Sequence, residues 1–404
     1  MPTYIYKARD ATGKPVKGTM EASSKDELTD KLHKMGYMTT SVTEALAGIK
    51  IETVFEKFKR IGTEDMVMFN VQLSNMIHAG ISILTSLGAL TKQLENKKLK
   101  EAMGSVSRSV EAGDSFSQAL ARHPGTFSKL FVNMVKAGEA SGKLDNILAR
   151  YAVFAEQEQD LREKIKGSLF YPIILLFAGI AVTLFIVTFI IPQFAEIFMK
   201  AGIKLPMLTL ILYRIGIGIK HFWYLIALFI ITCWLVIRYY RKTEQGRLSV
   251  DRLKLRTPII GPLYRKIAIS RFTRTLGTLV GSGVPILESL DITKEVVGNE
   301  VLARVIGNMR QCVEKGEKIS EPLKISEEFP ADAVQMISVG EETGNLGGML
   351  NKISDFYDMS IGYTVKKLTT IIEPLFLVIM GAMVGGIMAS ILLPIFDMMK
   401  VLRH

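Results

Sequence analysis

The stretch most suggestive of chemistry is Gly138-Glu-Ala-Ser-Gly142-Lys143-Leu144, which looks like a phosphate-binding loop. A P-loop has four residues between its glycines, followed by Lys and then Ser or Thr, which hold phosphate and magnesium. Here the spacing is three residues and a leucine follows the lysine. A second copy, Gly340-Glu-Glu-Thr-Gly344-Asn345, lacks the lysine altogether. We therefore interpret both stretches as turns between helices whose glycines take positive φ, and not as nucleotide sites.

Each copy also carries a glutamate directly after its first glycine. Glu139 and Glu341 either cap or pair locally, or face a partner protein, and the sequence alone does not separate these alternatives. The candidate partner-facing or turn positions are Gly138, Glu139, Gly142, Gly340, Glu341 and Gly344.

Other residue constellations do not predict catalysis, a cofactor or a metal. Gly281-Ser282-Gly283 lacks the spacer residue of a nucleophile elbow. The carboxylates of Glu156, Glu158 and Asp160 are typical of a solvated helix face. The two cysteines, Cys233 and Cys312, provide no disulfide framework. The histidines are scattered without metal-ligand spacing: His33, His78, His123, His221 and His404. We expect a protein that is not an enzyme.

The glycine stretches belong to a duplicated segment that runs from about 69 to 192 and again from about 272 to 394. Phe272 lies 203 residues after Phe69, and beyond a one-residue deletion near Pro124 the offset becomes 202. Matches at a nearly constant offset over so long a stretch indicate a duplicated domain. Matched pairs include Leu73/Leu276, Gly80/Gly283, Asn96/Asn299, Gly138/Gly340, Glu139/Glu341, Pro172/Pro374 and Pro192/Pro394.

Apolar residues recur at helical spacing within each copy. Phe69, Leu73, Met76 and Ile77 follow the i, i+4, i+7, i+8 pattern of a buried helix face. After this first helix the predicted helices span 81–94, 99–112, 115–123, 127–137 and 143 onward. Six helices with short connections predict a compact bundle in each copy. Residues 1–45 instead predict a strand–strand–helix–strand module, with Ser24 and Glu27 as a capping box.

Three apolar runs account for the 49% apolar content and the mean hydropathy of +0.27. We place the spans at 169–192, 215–237 and 371–396. Since each copy ends in a span, the two copies leave the cytosol in the same direction, and the unduplicated middle span must return the chain. In the third span, Gly381, Gly385, Gly386 and Ala389 predict close packing against another helix.

The net charge of +11 is concentrated after the second span. Such a basic cluster beside an apolar run fits the positive-inside rule and anionic lipid better than a nucleic-acid groove. The candidate membrane-surface residues are Arg238, Arg241, Lys242 and Arg247.

The duplicated segment with its apolar spans resembles a known family, the inner-membrane platform proteins of type II secretion and type IV pilus assembly (the GspF/PilC family). The matching stretches are Phe272-Thr-Arg-Thr-Leu-Gly-Thr-Leu-Val-Gly-Ser-Gly283 with Phe69 to Leu84, Val135 to Leu144 with Ser338 to Leu346, and the spans Tyr171–Pro192 and Glu373–Pro394. The Tyr4-Ile-Tyr-Lys-Ala8 module also looks like the family's leader domain. The resemblance covers essentially the whole chain.

The resemblance implies an all-α integral membrane protein of the bacterial inner membrane with two homologous cytoplasmic six-helix bundles, three transmembrane helices and a small α+β N-terminal module. The expected order is the N-terminal module (1–45), a linker (46–62), the first bundle (63–168), the first span (169–192), a periplasmic loop (193–214), the second span (215–237), a basic cytoplasmic linker (238–265), the second bundle (266–370), the third span (371–396) and a periplasmic tail (397–404).

The resemblance further implies a non-enzymatic scaffold that couples a hexameric cytoplasmic assembly ATPase to insertion of pilin or pseudopilin subunits into a fibre. Implied partners are the ATPase, pilins or pseudopilins, other inner-membrane assembly proteins and further copies of the chain, with no cofactor and no nucleic acid. Two alternatives stay open: a small-molecule permease, which requires polar residues at mid-membrane, and a membrane-anchored signalling scaffold without a fibre.

The topology makes Arg241 a test position. An Arg241→Cys variant, with Cys233 and Cys312 replaced by serine, is expected to resist a membrane-impermeant maleimide in intact spheroplasts and to react after lysis, because basic loops stay in the cytosol. Labelling of intact spheroplasts would contradict the predicted topology.

Overall fold

The computed structural model describes residues 3–9, 15–44, 61–200, 205–258 and 260–401. In the N-terminal module, strands β1 (Thr3–Arg9), β2 (Pro15–Glu21) and β3 (Met38–Glu44) form an antiparallel sheet in the order β2-β1-β3. Helix α1 (Lys25–Lys34) buries Leu28 and Leu32 with Tyr4 and Ala22. The Ser24 hydroxyl caps this helix by accepting the N–H of Glu27, but the Glu27 carboxylate accepts the N–H of Ser23 and not that of Ser24, so the predicted capping box is half formed. The predicted order of strands and helix is confirmed. Most of the expected linker 46–62 lies outside the described residues.

The first repeat forms six helices, as predicted. They are α2 (Thr63–His78), α3 (Ile83–Gln93), α4 (Lys97–Glu111), α5 (Phe116–Ala121), α6 (Lys129–Ser141) and α7 (Leu144–Phe185). Their apolar stripes meet in one core, with Phe69, Leu73 and Phe131 almost completely buried. Side chains such as Ser82, Asn96 and Ser115 accept the free N–H groups at the helix starts.

The first spanning helix is longer than expected. A π-helical segment (Ile186–Ile190) follows α7 and leads directly into α8 (Ile191–Lys200). The predicted loop 193–214 is therefore wrong at both ends, since the next helix, α9, covers Met207–Tyr240. Pro192 has no N–H to donate to the preceding turn, yet it does not end the helix: the π-helical segment just before it is the local departure from α geometry that accompanies it. Within the predicted loop, residues 201–204 lie outside the described part.

The middle span, expected at 215–237, is also extended. Helix α9 is bent at Phe222, whose φ of −110° and ψ of 16° are not helical. Before the bend the helix packs on the first and third spans, where Leu212 and Tyr213 contact Val187 and Ile387.

The residues expected to form a basic linker, 238–265, are largely helical. Helix α10 (Glu244–Arg256) follows α9 almost at once. It buries Leu255 in the core of the second bundle, and its Asp251 accepts the N–H of Glu300 at 3.0 Å. The linker prediction was wrong because the high density of charge hid a short apolar stripe on α10.

The second repeat also forms six helices. They are α11 (Gly261–Gly281), α12 (Ile286–Val296), α13 (Glu300–Glu314), α14 (Ser320–Ser326), α15 (Ala331–Glu342) and α16 (Leu346–Val401). Helix α16 is unbroken from the bundle through the third span, so the expected tail 397–404 is helical to Val401 and residues 402–404 lie outside the description.

The exit helices α7 and α16 run side by side in the same direction. Leu161 packs with Ile361 close to the bundles, and Val187 packs with Ile387 much further along. Between these levels the Thr369 hydroxyl donates to the Ser168 carbonyl at 3.3 Å. The repeats are therefore parallel, as expected, and both bundles lie at the same end of the three spans.

Two glycines outside the predicted packing motif allow the spans to approach closely. A Cβ at Gly179 would lie 2.7 Å from the ring of Phe376, and one at Gly216 would lie 2.1 Å from the Val187 carbonyl oxygen. A methyl group at Gly216 would have to push two helix backbones apart, whereas the space around Gly218 is open.

These contacts predict opposite outcomes for two neighbouring glycines. Gly216→Ala is expected to destabilise the protein by about 1–3 kcal/mol through overpacking, seen as a lower unfolding temperature of the full chain in detergent. Gly218→Ala is the control: alanine is favoured in helices by about 1 kcal/mol, so the unfolding temperature should stay level or rise. Equal losses in both variants would contradict the close approach at Gly216.

Candidate functional site

Glu139 supports a neighbouring helix of its own bundle. Its carboxylate accepts the backbone N–H of Phe116 at 2.5 Å and that of Ser117 at 3.3 Å, and the Ser117 hydroxyl donates to it as well. These N–H groups open α5 and have no partner within that helix. A carboxylate at this point also complements the positive end of the helix.

Glu341 does the same in the second copy. It accepts the N–H of Ile319 at 2.7 Å, the N–H of Ser320 at 3.4 Å and the Ser320 hydroxyl at 3.1 Å, all at the start of α14. Of the two alternatives open for these glutamates, local capping is therefore the one seen in the structure. These hydrogen bonds support each bundle from within, and a role in facing a partner stays a prediction.

Two of the four candidate glycines form turns. Gly142 and Gly344 end their helices with φ of 66° and 70°, as predicted. Gly138 and Gly340 lie inside α6 and α15, so the turn prediction is wrong for them. A Cβ at Gly138 would lie 3.1 Å from the side chain of Ile147. These two glycines therefore serve the close approach of successive helices, and the stretch has no loop that could hold phosphate.

The junction between the repeats is the place where charged side chains converge. Arg271 of α11 donates from Nε at 3.1 Å and from Nη2 at 2.8 Å to the Glu158 carboxylate of α7. Two charge-assisted bonds to one carboxylate fix both direction and distance. Glu158 was expected to lie on a solvated face; instead it links the first exit helix to the second bundle.

A second ion pair is buried one turn further along α11. Arg274 has a side chain only 2% exposed and pairs with Asp358 of α16, which also accepts the Ser270 hydroxyl at 2.5 Å. Burial lowers the pKa of the Arg274 guanidinium, and the nearby carboxylates of Glu158 and Asp355 oppose that shift. Removing one partner of such a pair leaves an uncompensated charge, so the pair locks α11 to α16.

The ion pairs of Arg271 and Arg274 were not predicted from the sequence. Their counterparts in the first copy are Met68 and Val71, both apolar. The available signal was that both positions have an arginine in the second copy and an apolar residue in the first, and a buried charge such as that of Arg274 needs a partner.

The junction holds helices together through charged side chains. In the described ranges, no three or more His, Cys, Asp or Glu side chains are grouped to hold a metal ion.

In the part of the chain that the structure describes, the three glycines of the third-span motif do not meet another helix. Gly381 and Gly385 are exposed, and a Cβ added at Gly381, Gly385 or Gly386 would touch nothing within 4 Å. Ile387 and Ser390 on a different face make the internal contacts instead. The predicted packing face, completed by Ala389, therefore stays a prediction that requires a partner helix.

The basic membrane-surface residues lie where α9 ends and α10 begins. Arg238, Arg241, Lys242 and Arg247 are all exposed. The Arg238 guanidinium lies 5.0 Å from the centre of the Trp234 ring, a cation–π distance that holds the charge next to the apolar helix. Contact with anionic lipid stays a prediction.

Family comparison accounts for this architecture. The model of the type II secretion system (T2SS) protein F matches residues 69–192 and 272–394, and that of its N-terminal domain matches residues 1–43. The chain belongs to the T2SS protein F family. The matched ranges coincide with the duplicated stretch and the N-terminal module predicted from the sequence.

Relatives of this family align over nearly the whole chain. The type IV pilus assembly protein PilC of Thermus thermophilus is 39% identical, over 100% of this chain and 99% of the relative. PilC of Myxococcus xanthus is 34% identical, over 98% and 94%. The type II secretion system protein F of Xanthomonas campestris is 31% identical, over 98% and 99%.

Among the described residues of this T2SS protein F family member, three helices are long and apolar enough to cross a membrane, with mean hydropathies of 2.9, 1.9 and 2.1 in their most apolar windows. With the membrane-associated names of its relatives, this makes it a multi-pass membrane protein.

The glutamate cap can be tested against an adjacent residue of equal charge. Glu341→Ala should lower the stability of the full-length protein by about 1–3 kcal/mol, because the N–H groups at the start of α14 lose their acceptor. Glu342→Ala removes only an exposed ion pair with Lys318, which contributes little. Unfolding temperatures in detergent compare the two, and equal effects would contradict the capping role.

Proposed function

We propose that this protein is the inner-membrane platform of a type IV pilus machine, which passes the motion of a cytoplasmic assembly ATPase to pilin subunits entering the fibre. Its relatives named for pilus assembly, at 39% and 34% identity, support the pilus over the secretion system. The mechanical part of this proposal rests on one observation: each exit helix continues from its bundle into its span without a break.

This continuity matters because a helix transmits displacement far better than a loop. Helix α16 has 56 residues and is about 84 Å long at 1.5 Å per residue. Its first turns are buried in the second bundle, at Leu350 and Ile353. The helix continues through Pro374 into the span, so a tilt of the bundle displaces the far end of the span.

The proposed orientation has both bundles in the cytosol, with the N-terminus inside and the C-terminus outside. The exposed basic residues at the bundle end of α9 support it through the positive-inside rule. The bundles would receive the ATPase, and other inner-membrane assembly proteins and further copies of the chain would complete the machine as a homodimer or higher oligomer.

The middle span offers a surface for a pilin helix. In the most apolar window of α9, 0% of residues are buried, so beyond the bend at Phe222 this helix stands apart from the other two. An unpaired apolar helix surface of this kind suits a transient helix partner in the bilayer, where association depends on packing.

Type II secretion is the second candidate, because a protein F of that system aligns along the whole chain at 31% identity. Pseudopilins would then replace pilins. Loss of exoprotein secretion with no loss of surface fibres in a deletion strain would favour it. Solute uptake by the pure protein in liposomes would favour the permease, and loss of a signalling output alone would favour the scaffold without a fibre.

The mechanical proposal is tested by softening one exit helix at the membrane boundary. The double variant Ser168→Gly/Leu169→Gly extends Gly167 to three consecutive glycines in α7. Each added glycine costs the helix about 1 kcal/mol, which should leave the protein folded and inserted. Surface fibres are expected to fall at least tenfold, measured by shearing and quantifying pilin.

The matched control is Ser168→Ala/Leu169→Ala, which truncates the same side chains but keeps a stiff helix; it should assemble fibres near the wild-type level. Both variants are checked for equal membrane content and for co-purification with the ATPase. Normal fibre assembly by the glycine variant would overturn coupling through a rigid helix.

A further inference from the structure

Beside the inter-repeat junction lies a pocket whose charge the bundle fold does not require. It has a volume of about 240 Å³ and is bounded by α7, α10, α11 and the loop before α13. Its charged lining residues are Glu158, Arg162, Lys166, Lys254 and Arg271. Tyr264, Ile165 and Ile267 supply apolar walls on the membrane side.

Internal pairing neutralises only part of this charge. Glu158 binds Arg271 at 2.8 Å and lies 3.9 Å from Arg162, and Asp251 binds Lys254 at 2.6 Å. Two carboxylates thus face four cations, of which Lys166 is exposed and the other three are partly exposed. Near a protein surface, repulsion between like charges is stronger than in bulk water. An anion that enters the pocket relieves this repulsion.

Comparison of the two copies shows that the fold itself does not demand these cations. In the other copy the position of Arg271 is occupied by Met68, that of Arg162 by Thr364 and that of Lys166 by Leu368. Lys254 lies on α10, outside the repeat. The pocket therefore exists once per chain and depends on the return of the middle span.

The helix start beside the pocket is already satisfied and does not explain it. Asn299 accepts the N–H groups of Val301 and Leu302, and Asp251 accepts that of Glu300. An anion in the pocket would therefore bind the cationic side chains and not the N–H groups of the helix start. Arginine and lysine together are suited to phosphate oxygens, which accept several charge-assisted hydrogen bonds at once.

We propose that the pocket formed by Arg162, Lys166, Lys254 and Arg271 binds a phosphate group. Lys166 directly precedes the uncharged run that begins at Gly167, so the headgroup of an anionic phospholipid and a free phosphorylated molecule can both supply that group. The ligand would bridge the first exit helix, the returning segment and the second bundle.

The test compares two lysines of one helix. Lys166 lines this pocket, whereas Lys164, two residues earlier, lines the groove between α7 and α16. Lys164 also has a lysine counterpart, Lys366, in the second copy. Lys166→Gln and Lys164→Gln thus remove the same charge at nearly the same depth, from different cavities.

Full-length protein is titrated in two arms. In the first, native mass spectrometry counts phosphatidylglycerol retained by protein taken from nanodiscs with increasing phosphatidylglycerol in phosphatidylcholine. In the second, sodium pyrophosphate is added to lipid-depleted protein in neutral detergent and the unfolding temperature is followed against sodium chloride of equal ionic strength. Saturable binding in the first arm alone assigns a lipid headgroup, and saturable binding in the second assigns a free phosphate compound.

In the arm that shows saturable binding, Lys166→Gln is expected to raise the apparent Kd at least tenfold. Lys166→Arg should leave the Kd near its wild-type value, and Lys164→Gln should change it less than twofold. Equal losses for both glutamine variants would show diffuse membrane electrostatics, and absence of saturable binding in both arms would show an empty pocket; either result overturns the proposal. Neither arm involves fibre assembly, so the outcome is independent of the proposed function.

Discussion

Two copies of a bundle that enter a membrane in the same direction require an antiparallel helix between them, and the structure depends on this constraint. A single chain cannot place both bundles at one end of parallel exit helices without a third crossing. Helix α9 supplies that crossing and packs at its start against both exit helices, where the Thr209 hydroxyl donates to the Ser390 carbonyl at 2.7 Å. Helix α10 then joins the chain to the second bundle.

The two copies share their glutamate caps but differ in the arginines of α11. Within each bundle the glutamate caps are preserved, because both copies have the same short helix to support. Arg271 and Arg274, by contrast, stand where the first copy has apolar residues. Arg271 binds Glu158 of the first exit helix, whereas Arg274 binds Asp358 within the second copy. The caps are thus common to both bundles, and these two arginine ion pairs have no counterpart in the first copy.

The helices and their grouping could be predicted because their signals are local. Helical spacing, caps such as Ser115 and the constant offset of the repeat are all read within a few residues or by comparison of the copies. The errors were of another kind. The helix continues through Pro192 next to a π-helical segment that no local pattern predicts. Helix α10 is buried against the second bundle, whose residues come later in the chain.

The candidate site was predictable only in part, for the same reason. Glu139 and Glu341 were recognised as paired positions, but the choice between capping and partner contact depends on where α5 and α14 lie in space. Gly138 was assigned to a turn because glycine has two uses, positive φ and close approach, and sequence does not separate them. Gly216 carries no motif: its importance follows from the Val187 carbonyl oxygen of another helix.

The two bundles share apolar core contacts, and these contacts affect how a force would pass from one bundle to the other. Leu279, Val284 and Ile292 of the second repeat are buried in the same core cluster as Phe69 and Phe131 of the first. Separating the bundles would expose this apolar surface, at a cost of roughly 25 cal/mol for each Å², and would break the buried polar contacts between α7 and α11. The two bundles therefore resist independent rocking. Under the proposed function, a push on either bundle reaches both exit helices, and the middle span, held only at its first half, is the element free to yield.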